Sequence, residues 1–162
     1  MRLTLHKFLT RLNNPDVYLL HCDLWKWDNT KYNCINCGIQ EPNMVNIAAG
    51  LASQGKKVIV YGVVGYVVFK TYEQMRFNIK GFADQKGCVI FVNAGHNGAY
   101  KHQGRGGEIN EDQDIMNLLG IPLYDPPDRS SFVRLIVDGL RKEAGARFVR
   151  LGWDGEVWKK KK

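Results

Sequence analysis

Three short runs of apolar residues place the strongest constraint on the fold of this chain, and they read VYLLH, VIVY and CVIFV. Their residues are nearly all apolar rather than alternately apolar and polar, which is typical of strands buried on both faces of a sheet. Stretches with helical periodicity lie between them. Strands that alternate with helices predict a mostly parallel sheet covered by helices on both faces. We therefore predict an α/β fold, a three-layer sandwich.

The same patterns predict the other elements. Apolar residues recur at helical spacing at Leu5, Phe8, Leu9 and Leu12; at Met44, Ile47, Ala48, Leu51 and Ala52; at Ile115, Leu118 and Leu119; and at Phe132, Leu135, Ile136 and Leu140. A further helix carries Tyr72, Met75, Arg76 and Ile79. Gln54 and Gly55 are predicted to end the second helix. IPLYDPP predicts a strand with a turn, and RFVRLGW predicts the last strand.

Several segments with polar, aromatic or glycine residues follow the predicted strands. They are CDLWKW, the turn that contains Glu41, YGVVGY, and the long stretch NAGHNGAYKHQGRGGEINED, which has no periodicity. Ligands of open parallel sheets bind beyond the carboxyl ends of the strands, and long loops in compact domains are usually functional. We therefore predict the functional site at this edge of the sheet.

Length and charge limit the classes of protein that fit. A chain of 162 residues with 44% hydrophobic content is expected to form a single domain. The net charge is +7, but the last four residues, 159–162, are all lysine, so the rest of the chain carries only +3. We predict a basic, disordered tail there. A nucleic-acid partner is not expected, because such proteins place cations and aromatic residues along a folded surface.

No membrane partner is expected either. No apolar run approaches the roughly 18 to 20 residues that cross a bilayer, and the N-terminus lacks the apolar core of a signal peptide. The sequence therefore predicts a soluble, cytoplasmic protein.

The four cysteines, Cys22, Cys34, Cys37 and Cys88, are interpreted as reduced thiols. Cys34 and Cys37 form a CxxC pair, which raises the alternatives of a zinc site or a redox pair. A structural zinc site needs two further ligands, and no second CxxC or paired histidines at suitable spacing follow. A redox pair would normally open a helix, whereas this one lies in an extended segment. We predict no metal site.

The segments GIQEPNM, IAAGLASQGKK and YEQMR together resemble the pyrimidine-binding domain of transketolase-like thiamine diphosphate enzymes. That family includes transketolase, deoxyxylulose phosphate synthase and the pyruvate dehydrogenase β chain. Weaker similarity extends over nearly the whole chain. The resemblance implies the thiamine diphosphate-binding fold, with residues 1–158 as the pyrimidine-binding domain.

The resemblance implies a role for Glu41, the acid of the GIQEPNM turn. In the family this acid hydrogen-bonds a ring nitrogen of the cofactor's aminopyrimidine and so promotes removal of the thiazolium proton. The chemistry needs a carboxyl group that can share a proton with a weakly basic nitrogen. The alternative from local sequence is that Glu41 only caps the helix ahead of Pro42.

Three aromatic residues and one further acid are implied at the cofactor. Tyr66, Phe69 and Tyr72 are spaced three apart and would share one helix face if the helix begins by Tyr66. The resemblance places them around the aminopyrimidine, with Phe69 stacked on it; such a stripe on its own would more often be core. Asp23 matches an aspartate near the cofactor, and the alternative is an acid that stabilises a turn.

The substrate side departs from the family pattern. Gly107 stands where many members have a histidine ahead of a Glu-Asp pair, here Glu111 and Asp112. A phosphate-binding arginine of several members would fall near Trp153. We name His96 and His102 as candidate catalytic residues, because histidine titrates near neutrality; the alternative is that they are solvent-facing loop residues. Gln103 and Arg105 lie in the same loop, and residues 96–105 are expected to face the substrate.

The chain has no GDG motif, which in the resembled enzymes binds the diphosphate and its metal. The resemblance therefore implies a separate diphosphate-binding subunit that holds most of the thiamine diphosphate and Mg²⁺, in an α2β2 or larger assembly. The expected function is ketol transfer through a cofactor-bound carbanion, with a small keto or sugar substrate. The alternatives are the small subunit of a split 2-keto acid decarboxylase, a noncatalytic assembly subunit, and a nucleic-acid-binding domain.

Overall fold

The computed structural model describes residues 2–25, 31–81, 86–94, 111–142 and 144–151. Within these residues six strands form one sheet in the order β2-β1-β3-β4-β6-β5, and every neighbouring pair is parallel. The strands are β1 (Val17–His21), β2 (Asn33–Asn36), β3 (Lys57–Val63), β4 (Cys88–Ala94), β5 (Leu123–Tyr124) and β6 (Gly145–Leu151). The helices are α1 (Arg2–Leu12), α2 (Glu41–Ser53), α3 (Val64–Lys70), α4 (Tyr72–Gln74), which continues into a π-helical segment (Met75–Ile79), α5 (Asp112–Leu119) and α6 (Arg129–Arg141). The predicted α/β class with a parallel sheet is confirmed.

The sheet separates two apolar cores, as a three-layer sandwich requires. Alternate residues of β3 enter opposite cores: Val58 and Val60 pack with helices α2, α3 and α5, whereas Ile59 and Tyr61 pack with α1 and α6. Both sets are almost fully buried. Burial on both faces explains why the strand is continuously apolar in sequence. Apolar and polar residues therefore do not alternate along β3, because helices cover both faces of the sheet.

The strand β3 passes into helix α3 without a connecting loop, because α3 begins at Val64 directly after Val63. Gly62 makes this close packing possible. A side chain at position 62 would collide with Val67 and approach the Oδ1 atom of Asn93 to 3.0 Å. The glycine therefore lets α3 fold back tightly over the carboxyl edge of the sheet.

The structure refines one sequence prediction and corrects another. The segment predicted to be extended is a strand, β2, which forms one edge of the sheet. The aromatic helix is also interrupted: α3 ends at Lys70, and Thr71 has the non-helical angles φ −120° and ψ 14°. The Thr71 hydroxyl donates a hydrogen bond to the Val67 carbonyl at 2.6 Å, which competes with regular helix hydrogen bonding. Tyr66, Phe69 and Tyr72 therefore do not lie on one continuous helix face.

The cysteine pair lies in and just after β2, and its two members pack into different cores. Cys34 packs with the α1/α6 core and Cys37 with the α2/α3/α5 core. Residues three apart in extended chain face opposite sides. Burial raises the pKa of the Cys37 thiol to about 11, so it is not a reactive thiolate. None of the four cysteines forms a disulfide bond. The described residues contain no group of three or more histidine, cysteine, aspartate or glutamate side chains that could hold a metal ion.

No helix in the described part of the chain is long and apolar enough to cross a bilayer.

Leu118, predicted on the apolar face of its helix, is 72% exposed. The neighbouring Met116 and Leu119 carry the packing of α5 instead.

Candidate functional site

Glu41 is the first residue of α2, and its residue surface is only 7% exposed. The turn before it contains Gly38 with φ +66°, a conformation that favours glycine, and Pro42 occupies the first turn of the helix. This position places a nearly buried carboxylate at the positive end of the helix dipole, which stabilises the anion. The N-cap is Gln40, without a side-chain capping hydrogen bond.

The carboxylate of Glu41 contacts helix α3. The Lys70 ammonium donates a hydrogen bond to Glu41 Oε2 with an Nζ to Oε2 distance of 3.2 Å. The same ammonium lies 4.9 Å from the centre of the Tyr66 ring, a cation–π contact. Glu41, Lys70 and Tyr66 thus form one cluster at the corner between α2 and α3. The sequence predictions named the acid and the tyrosine and missed the lysine.

The other two aromatic residues take different positions. Phe69, next to Lys70 in α3, is 51% exposed. Tyr72 lies beyond the break at Thr71, in α4, and its hydroxyl accepts a hydrogen bond from Arg76 Nη1 at 3.3 Å. An exposed aromatic ring can hold a flat heteroaromatic ligand, because area burial and ring stacking both favour the contact. Tyr66 and Phe69 therefore lie on α3, the helix that contacts Glu41, whereas Tyr72 lies beyond the break.

Asp23 lies just past β1 and takes part in a turn. Its φ of 53° is left-handed, and its carboxylate accepts a hydrogen bond from Asn36 Nδ2 at 2.6 Å. Asn36 Oδ1 in turn accepts from the backbone N–H groups of Asp23 and Gly38. The Asn36 side chain thus ties the end of β1 to the turn that leads to Glu41. This geometry gives Asp23 a turn-stabilising role, and the position near the cofactor that the resemblance implies for it stays a prediction.

A second ionic cluster lies at the other side of the same sheet edge. Asp112, the first residue of α5, has a fully buried side chain that accepts two hydrogen bonds from Arg150 of β6, at 2.8 and 2.9 Å. Arg150 also donates to the exposed Asp125 at 3.2 Å. Hydrogen bonding to Asp112 raises the pKa of Arg150 above its usual value. The two-point contact fixes the end of β6 to the start of α5.

Asn93 is a buried polar residue that the sequence predictions missed. It ends the apolar run of β4 and lies in register between Gly62 of β3 and Arg150 of β6. The residue has no solvent exposure, and neither polar atom of its side chain has a hydrogen-bond partner among the described residues. The only signal in the sequence was a single polar letter at the end of CVIFVN.

The candidates on the substrate side cannot be placed in the same way. His96, His102, Gln103 and Arg105 lie outside the described residues, as do Gly107, Trp153 and the lysine tail. The roles predicted for them stay predictions. Asp112, the second residue of the Glu-Asp pair that matches the family pattern, is the acid that accepts the hydrogen bonds from Arg150.

Comparison with known proteins supports the fold. One similar solved structure is a split-gene transketolase, described as an inactive beta4 tetramer, with a TM-score of 0.73 and 23% identity over 93% of this chain and 50% of that chain. Another is a transketolase from Campylobacter jejuni, with a TM-score of 0.71 and 17% identity over 91% of this chain and 25% of that chain. The chain thus spans half or less of these proteins. No protein-family model and no curated protein sequence matches it.

Proposed function

We propose that this chain is the pyrimidine-binding subunit of a two-component, thiamine diphosphate-dependent enzyme of the transketolase type. The observation that carries the proposal is the nearly buried carboxylate of Glu41 at the start of α2, bonded by Lys70 of α3, the helix that also carries Tyr66 and the exposed Phe69. The transketolase-like fold supports it, as does the resemblance of the GIQEPNM turn.

The residues of the corner fit an aminopyrimidine. Such a ring needs a carboxyl group at one edge nitrogen and an apolar surface on its face. Glu41 supplies the carboxyl group, and its low exposure excludes competing water. Phe69 supplies an aromatic face, and Tyr66 closes the corner from the same helix. When bound, the cofactor would supply the carbon nucleophile that adds to a carbonyl group of the substrate.

Within this scheme Glu41 holds or moves a proton at the ring nitrogen, and the aromatic residues orient the ring. Neither task requires this chain to bind the diphosphate. Mg²⁺ and a diphosphate need several converging oxygen ligands, and the described residues contain no group of three or more acidic, histidine or cysteine side chains that could hold a metal. We therefore assign the metal and the diphosphate to a separate subunit.

The partner would cover the corner. Ile39, two residues before Glu41, is 75% exposed, and Phe69, next to Lys70 in α3, is 51% exposed. Apolar residues at the centre of a surface patch are characteristic of protein interfaces. The reaction assigned to the complex is ketol transfer to a small keto or sugar substrate. Decarboxylation of a 2-keto acid is the alternative reaction at the same site.

The test uses the complex of the full chain with a diphosphate-binding subunit, found as a neighbouring reading frame that encodes a GDG motif and a downstream asparagine. We expect this complex to bind thiamine diphosphate with Mg²⁺ and to transfer a two-carbon ketol unit. Glu41→Gln should assemble normally and lose about 10²- to 10⁴-fold in turnover, the range of general acid–base catalysis.

The matched control is Glu73→Gln, the same substitution at an exposed acid of α4. It should leave turnover unchanged. Normal turnover by Glu41→Gln would refute the role of this acid. A complex that assembles but does not bind thiamine diphosphate would refute the proposed function and would favour a noncatalytic assembly subunit.

A further inference from the structure

Lys70 is the residue of the corner that neither the motif nor the proposed reaction explains. It is the last residue of α3, and its ammonium bonds the carboxylate of Glu41, the first residue of α2, at 3.2 Å. It also rests over the ring of Tyr66 at 4.9 Å. The lysine therefore contacts both the acid and one of the aromatic residues to which the proposed function assigns the cofactor ring.

The two members of the ion pair differ sharply in exposure. The side chain of Lys70 is 47% exposed, whereas that of Glu41 is 9% exposed. A lysine ammonium is a compact charge on a flexible stem, without the two-point geometry of an arginine. Ion pairs with one exposed member contribute little and are screened by salt. The lysine can therefore leave the acid at a small cost in free energy.

We propose that Lys70 competes with the cofactor for Glu41: in the cofactor-free subunit it neutralises the carboxylate, and it must move aside before the pyrimidine nitrogen can bond the acid. The inference rests on the proposed function and adds a positioning residue to it. The ammonium occupies one oxygen of the carboxylate and makes the acid a poorer proton acceptor, whereas a hydrogen bond between the acid and the ring nitrogen needs a proton that the two groups share. Competition of this kind lowers the apparent affinity by the fraction of subunits in the competing state.

Removal of the Lys70 charge should change the affinity for thiamine diphosphate in opposite directions under competition and under simple charge attraction. Thiamine diphosphate is a net anion, so removal of any positive charge near the site should weaken its binding or leave it unchanged. Competition predicts the opposite. We expect Lys70→Met, which keeps an unbranched apolar stem and removes the charge, to bind thiamine diphosphate about two- to fivefold more tightly than the wild type.

The experiment measures the dissociation constant of thiamine diphosphate with Mg²⁺ by calorimetry, using the complex of the full chain with its diphosphate-binding subunit. Lys70→Arg keeps a cation that can bond the acid and should bind no more tightly than the wild type. Lys56→Met is the matched control, since Lys56 pairs with Asp16 on another part of the surface. It should not tighten binding. The advantage of Lys70→Met over the wild type should shrink as KCl is raised, because salt screens the competing pair.

The possible outcomes are distinct. Equal or weaker binding by Lys70→Met, with normal binding by the wild type, would overturn the competition and leave the proposed function standing. Tighter binding by Lys56→Met as well would also overturn it, since the effect would then be one of general charge. A wild-type complex that does not bind thiamine diphosphate would overturn both proposals. Tighter binding confined to Lys70→Met, with Lys70→Arg like the wild type, would support the inference.

Discussion

Two buried acids lie at the same edge of the sheet, each at the first position of a helix, and they differ in how they are neutralised. Asp112 accepts two short hydrogen bonds from Arg150, which is itself only 14% exposed. Glu41 accepts one longer contact from a lysine that is half exposed. Both helices pack on the same face of the sheet. Position in the fold therefore does not distinguish the two acids, whereas their partners do.

The difference distinguishes an acid with an architectural role, Asp112, from an acid that can still bond a ligand, Glu41. A carboxylate bound at both oxygens by a planar guanidinium is held in a fixed orientation and cannot be removed without leaving a buried charge. A carboxylate held through one oxygen by a mobile ammonium keeps capacity for a ligand.

The largest effect is expected from Asp112→Ala. The substitution leaves the mostly buried Arg150 without its main counter-charge, and such losses cost about 3–5 kcal/mol in the free energy of unfolding. Urea denaturation of the full chain measures it. The control is Asp125→Asn, which removes the exposed partner of the same arginine and should cost less than about 1 kcal/mol. Equal losses from the two variants would contradict the architectural role of Asp112.

The next effect is expected from Phe69→Ala in the complex. Loss of the exposed ring should weaken binding of thiamine diphosphate about tenfold, the worth of a lost stacking contact, and should change the stability of the chain little. Phe77→Ala removes another exposed phenylalanine, 61% exposed in the π-helical segment, and should leave the affinity unchanged. If the two variants bind alike, Phe69 is not the stacking residue.

A smaller effect is expected from Glu41→Gln on stability. The substitution removes a single contact with a half-exposed lysine, so the free energy of unfolding should change by less than about 1 kcal/mol. The measurement is urea denaturation beside Asp112→Asn, the same change of acid to amide at the other site. A loss from Glu41→Gln as large as that from Asp112→Asn would remove the distinction between the two acids.

The smallest effect is expected from pH. Burial lowers the pKa of His21, while the nearby charge of Asp23 opposes that shift. The unfolded chain therefore binds more protons than the folded chain below about pH 6.5, so stability falls as pH falls through that value. We expect a loss of less than about 1 kcal/mol between about pH 7 and about pH 5.5. Thermal unfolding of His21→Gln should show a shallower loss, and an identical slope would contradict this assignment.

The sequence predicted the fold better than it predicted the site. VYLLH, VIVY and CVIFV all lie in the strands of the parallel sheet, and the predicted start of a helix at the Glu41 turn agrees with α2. Strand β2 was predicted only as an extended segment, because its four residues, NCIN, include two asparagines and form no continuous apolar run. The break at Thr71 was not predicted, because a threonine does not interrupt the apolar periodicity of the sequence. Only the structure shows the hydrogen bond from its hydroxyl to the Val67 carbonyl.

The amino-acid sequence by itself determined the three central buried strands and where Glu41 enters a helix, because hydrophobic patterns and turn residues act over a few neighbouring positions. Only the tertiary structure decided which charges meet. Lys70 lies 29 residues from Glu41, and Arg150 lies 38 residues from Asp112. Such pairs form because the order of the strands in the sheet brings particular helix ends and strand ends together at one edge. The periodicity of neighbouring residues does not indicate that order.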